Sequence, residues 1–125
     1  MRALKTRGDA LATATQNIAE FWNVCTRPAS ARGGLGLSIA DTHRRLRLLE
    51  RIVQILLDTP NAYPIWKGLV VSIGISGVQV HDARLAALMQ ANGVTHILTL
   101  NRPDFARFPG ITALDPAMAI ALPPP

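Results

Sequence analysis

The chain is 125 residues, 49% hydrophobic and 17% charged, with a net charge of +5 and a pI of about 10.7. These values exclude a disordered chain and fit a single globular domain, 1–125, long enough to bury a core. A lone cysteine, Cys25, excludes an internal disulfide and a zinc cluster.

The residues 1–9 carry charge without an apolar core, unlike a signal peptide. No apolar run reaches the roughly 20 residues of a membrane helix. The expectation is a protein of a reducing cytoplasm with no membrane contact. Arginine supplies most of the positive charge, which favours a polyanionic partner such as nucleic acid.

In chain order, residues 3–7 read as the end of a helix, and Leu11–Ala14 as a short strand. A helix opens at Thr15 or Gln16 with Ile18, Phe21, Trp22 and Cys25 on one stripe. Arg27-Pro28 ends it, and the glycines at 33, 34 and 36 mark a loop. Ser38 is an N-cap for a helix expected to reach about Asp58. Thr42, Leu46, Leu49, Val53, Leu56 and Leu57 would line its inner face, with Arg44, Arg47 and Arg51 opposite. Residues 62–67 read as helix. Leu69–Ile75 is ambiguous, its β-branched residues reading as strand.

Residues 82–91 read as a helix with Leu85, Ala86 and Met89 inward, closed by Asn92-Gly93. Val94–Leu100 reads as a strand buried on both faces. A polar turn follows over 101–107, and then a strand over Ile111–Leu114. A tail rich in proline, 117–125, ends the chain, its last four residues reading as frayed. Helices alternating with short apolar strands predict an α/β fold with a parallel sheet. In such sheets sites collect beyond the strands' carboxyl ends, here the turn after Leu100.

Four stretches carry a resemblance. They are residues 16–24 (QNIAEFWNV), 80–86 (VHDARLA), 97–105 (ILTLNRPDF) and 108–111 (FPGI). In this order and spacing the chain resembles PIN-domain ribonucleases of the VapC toxin type over about residues 11–116. The resemblance implies a three-layer α/β/α fold with a parallel sheet, truncated at its N-terminus. It also implies a Mg2+- or Mn2+-dependent endoribonuclease, a toxin held by a cognate antitoxin, acting on RNA and forming a homodimer.

The family's site is a cluster of acidic residues. The first, on an N-terminal strand in an Asp-Thr-Asn context, has no counterpart here. Glu20 matches the second and Asp82 the third. Asn101 stands at the fourth position, with Asp104 three residues on. The resemblance therefore implies Glu20, Asp82 and Asp104 as metal ligands and catalytic groups, with Thr99 and Asn101 binding substrate or shaping the site. The missing acid implies weakened activity.

Other readings of the same residues stay open. Glu20 falls on a helix face with Gln16, Asn23 and Arg27, as a solvated residue would. Asp82 shares a helix face with Leu85, Ala86 and Met89, where a carboxylate needs a partner or a metal; it also fits an N-cap. Asp104 fits a cap of the turn bearing Phe105. His81, His43 and His96 show no metal-ligand spacing. The arginines at 44, 45, 47 and 51 fit RNA phosphates, a solvated face or an antitoxin surface. A non-catalytic PIN remnant that binds an antitoxin or another PIN domain is the rival function. A basic nucleic-acid-binding module is the third.

Overall fold

Short apolar stretches form the strands, and the longer runs with helical spacing form the helices. The computed structural model describes every residue from Met1 to Pro125. Its elements are α1 (Arg2–Thr6), β1 (Ala12–Ala14), α2 (Thr15–Thr26), α3 (Ile39–Glu50), β2 (Gln54–Leu56) and α4 (Ala62–Ile73). After a 3₁₀ turn (Gly77–Gln79) come α5 (Val80–Ala91), β3 (His96–Leu98), α6 (Arg102–Ala106), β4 (Thr112–Leu114) and α7 (Pro116–Ala121). The class is mixed α/β with parallel strands. β1 pairs with β2, Thr13 opposite Ile55, and β3 pairs with β4, Ile97 opposite Ala113. The parallel sheet is thus present as two pairs of strands. They fall in two compact units, one of residues Ala10–Leu57 and one of Asp58–Pro125 with Met1–Asp9.

In the Ala10–Leu57 unit, Ala14, Cys25, Thr42 and Val53 are buried, while Ile18, Phe21 and Trp22 are half-buried. Arg27 turns extended, ψ 139°, and ends α2 before Pro28. The Ser38 hydroxyl accepts the Asp41 N–H at 3.1 Å and caps α3. The fully buried Thr42 donates its hydroxyl proton to the Ser38 carbonyl at 2.8 Å.

The end of α3 differs from expectation. The helix predicted to reach Asp58 stops at Glu50, and Gln54–Leu56 is β2. Ile52, Val53 and Ile55 are β-branched and favour extended backbone. The Gln54 N–H bonds the Leu11 carbonyl at 2.8 Å, opening the ladder with β1. Leu57, expected inward, is 66% exposed.

In the other unit, Ala83, Ala86 and Ala87 on α5 are fully buried. Their small side chains let α4 pack closely on α5. Leu69, Met89, Phe105, Phe108, Ile111 and Ala113 complete this core. The ambiguous Leu69–Ile75 stretch is the end of α4 and the residues after it. Gly74 adopts the left-handed conformation, φ 76°, that closes a helix.

Two further expectations are corrected. β3 is not buried on both faces: His96 and Leu98 are exposed and only Ile97 packs against the core. A pair of strands offers too little sheet to be covered on both sides. The polar turn over 101–107 contains α6. Pro103 in the first helical turn is compatible with helix, and burial of Phe105 holds the segment against α5.

Residues 117–121, grouped with the tail by composition, are helical. Arg7 fastens that helix. Its Nη1 donates to the carbonyls of Ala119 at 3.2 Å and of Ile120 and Leu122 at 2.8 Å. These are the carbonyls a helix end leaves without partners. Asp9 holds the Arg7 guanidinium, with Nε 3.0 Å from Oδ2.

Candidate functional site

The turn leaving β3 is built as a chain of hydrogen bonds. The Thr99 N–H donates to the Leu114 carbonyl at 2.9 Å, which continues the ladder one residue past β3. The Thr99 hydroxyl accepts the Asn101 N–H at 3.0 Å. The Asn101 side-chain amide donates to the Asp104 carboxylate at 2.5 Å. Asn101 is also the N-cap residue of α6, and Asp104 stands in that helix's first turn. The three residues beyond the strand's carboxyl end are therefore one connected unit.

Asp82 meets this unit from α5. The helix begins at Val80, so Asp82 lies inside the first turn. Gln79 occupies the N-cap position, and no side chain caps the helix. The capping role considered for Asp82 is not the one observed. Asp82 is half-buried. Burial raises its pKa above the ordinary aspartate value, and the nearby Asp104 carboxylate raises it further. The charges of Arg107 and His81 pull it back down. Arg107 is itself placed by Gln79, whose side-chain oxygen accepts its Nη1 proton at 3.2 Å. The guanidinium also lies 5.3 Å from the Phe108 ring centre.

The structure thus gathers Asp82, Asp104, Asn101 and Thr99 within one unit. Glu20 stands exposed on α2, in the Ala10–Leu57 unit. The arginines at 44, 45, 47 and 51 are exposed in that same unit, and Arg44 pairs with Asp41 at 3.1 Å.

The donor set can be tested against a divalent ion. No group of three or more His, Cys, Asp or Glu side chains forms. Asp82 and Asp104 are two hard oxygen ligands whose mutual repulsion a cation would relieve, and the Asn101 carbonyl oxygen is a neutral third. Magnesium typically keeps several waters and takes only one or two protein carboxylates. The residues present fit that pattern and do not form a closed, all-protein cage.

Sequence reasoning missed Arg107, because its neighbours Gln79 and Asp82 are remote in sequence. It also missed a cleft of about 340 Å³ lined by Asp58, Thr59, Ala62, Tyr63, Trp66 and Arg84. The only signal there was two aromatic residues three apart on a helix. No helix of the chain is long and apolar enough to cross a membrane. A scan against protein-family models returns no match, and no curated protein matches the chain significantly.

Proposed function

We propose that the chain is a metal-dependent endoribonuclease of the VapC-like PIN type with a reduced acidic set. The observation that carries this reading is the pairing of Asp82 with Asp104 beyond the carboxyl end of a parallel strand. The ordered motifs support it, as does the parallel pairing of the strands, which a three-layer PIN-like fold would also show.

Asp82 and Asp104 would hold Mg2+ or Mn2+. When bound, the ion polarises a phosphoryl oxygen and makes hydroxide available near neutral pH. The protein's own part is positioning. Asn101 fixes the Asp104 carboxylate, and Thr99 fixes Asn101. Arg107 is placed to meet phosphate charge beside the acid pair. Glu20 is the further ligand expected from the resemblance. RNA is the substrate, the cytoplasm the setting, and an antitoxin and a second copy of the chain the protein partners.

One observation favours a second reading, a non-catalytic module that binds an antitoxin or another PIN domain. Only two acids are gathered, and Leu98 and Leu100 beside them are 44% and 91% exposed.

RNA cleavage with manganese and with chelator separates the two. The nuclease reading expects manganese-dependent cleavage that Asp82→Asn lowers at least ~100-fold, the upper end of the cost of losing a metal site's outer-shell partner. No cleavage with manganese, together with retained protein binding, would establish the second reading instead.

A further inference from the structure

The cleft at the start of α4 is separate from the acid pair and differs in chemistry. Tyr63 and Trp66 form a stacked pair, ring centres 6.1 Å apart at 30°. The Trp66 indole is fixed in orientation, because its Nε1–H donates to the Val80 carbonyl at 2.9 Å. Tyr63 is 66% exposed, so most of its ring meets solvent. An exposed aromatic surface braced by a second, anchored ring is a platform and not a core element.

Arg84 supplies the other half. It forms one contact with Asp58, Nη2 to Oδ2 at 3.2 Å, and both side chains are more than half exposed. Such an exposed pair holds its partners weakly. The remaining guanidinium protons are free in geometry to take a phosphate in the forked manner that arginine favours. The cleft volume, about 340 Å³, lies in the range of small-ligand pockets.

We infer that this cleft is a subsite for one unpaired nucleotide, the base stacked on Tyr63 against Trp66 and a neighbouring phosphate held by Arg84. A flat, planar apolar group beside an anion is the chemistry that both halves call for. The chain's net charge of +5 favours a polyanion over a neutral aromatic compound. The inference extends the ribonuclease reading. Arg84 follows Asp82 by two residues on α5, so ~200° of helix rotation and ~3 Å of rise separate them. The two side chains therefore face opposite sides of α5, and a single strand would reach both the cleft and the acid pair only by passing around that helix. Asp58 acts as the competitor that an incoming phosphate displaces.

Anisotropy of a short fluorescein-labelled oligouridylate, measured on the full chain in chelator, tests the subsite without any cleavage. Tyr63→Ala is expected to weaken binding roughly 10-fold, within the range for one stacked base, while Tyr63→Phe stays close to native. Arg84→Ala should weaken binding and lower the salt slope by about 1. Asp58→Ala should bind more tightly. An abasic oligomer of the same length should bind native protein and Tyr63→Ala alike. The subsite is overturned if Tyr63→Ala and Arg84→Ala keep native affinity, if the abasic oligomer binds native protein as well as the oligouridylate does, or if the native chain binds none of these and a protein occupies the cleft instead. Loss at Tyr63 without manganese-dependent cleavage would keep the subsite and remove the nuclease. Cleavage that depends on Asp82 but not on Tyr63 would do the reverse.

Discussion

Asp82 stands in a place that costs stability. A half-buried carboxylate next to another carboxylate is disfavoured in its charged form by both burial and repulsion. Its folded pKa lies above the unfolded value, so the folded state binds the proton more readily. Stability is then greatest below the unfolded pKa, falls as pH rises through the raised folded value, and stays reduced above it. Asp82→Asn, which keeps shape and removes charge, should therefore raise the melting temperature at neutral pH. The gain should shrink to nothing as pH falls below the ordinary aspartate range. Melting curves of both proteins across pH measure this; equal curves at neutral pH would show that Arg107 and His81 already neutralise the site. The same variant should lose cleavage, so stability and activity move in opposite directions, as expected where a strained charge serves function. Part of this was legible in sequence. Helical spacing from Leu85, Ala86 and Met89 put Asp82 on the inner face, where Ala86 and Met89 are buried. The approach of Asp104 and Arg107 depends on how α6 docks, which no local pattern encodes.

The elements show where periodicity is a sound guide and where it misleads. Ser38 capping α3, Asn92-Gly93 closing α5 and Arg27-Pro28 ending α2 are local chemistry, and local chemistry was readable. The stretch from Ile52 to Leu57 was not, because Val53, Leu56 and Leu57 also continue the helical spacing of α3. Hydrogen bonding to β1, 42 residues away, decides it (Ala14 opposite Leu56, Ala12 opposite Gln54). Tertiary pairing overrides spacing where β-branched residues make both states accessible. α6 was hidden for a similar reason: five residues are too few to show a period. α3 itself offers a test. Its arginines are exposed, and the sole buried residue of the helix is Thr42. Arg44→Glu with Arg47→Glu should leave the fold intact, each surface change falling within about 0.5 kcal/mol. If α3 meets RNA phosphates, removing two contacts should flatten the salt dependence of binding by a slope of about 2. An unchanged slope would make α3 a solvated surface.

Across the whole chain, positive charge is shared. The Ala10–Leu57 unit has six arginines and three acids, a net of +3; the rest has seven basic and five acidic residues, a net of +2. Both units therefore suit a polyanion. Both also rest on two-stranded parallel pairs, and pairs of strands are marginal in water without further cover. β3 bonds β4 through Thr95, Ile97 and Thr99, because alternate residues of a parallel strand face one neighbour. The backbone groups of His96 and Leu98 consequently point to an open edge. The PIN resemblance expects one more strand, carrying an aspartate in an Asp-Thr-Asn context, where this chain has α1 ahead of β1. A version with such a strand fused ahead of Met1 should gain on two counts. Each new ladder bond contributes about 0.5–1.5 kcal/mol, the net value for a hydrogen bond exchanged with water. The added carboxylate supplies a third charged ligand beside Asp82 and Asp104, so less manganese should be needed for half-maximal cleavage. Urea unfolding and manganese titrations of RNA cleavage, on the 125-residue chain and its extended form, measure both effects. The expected result is a higher urea midpoint and faster cleavage in the extended form, with cleavage lost from each on Asp82→Asn. If the shorter chain cleaves RNA as fast as the extended one, and Asp82→Asn still abolishes that cleavage, then the acids already present suffice and the added strand has no catalytic role.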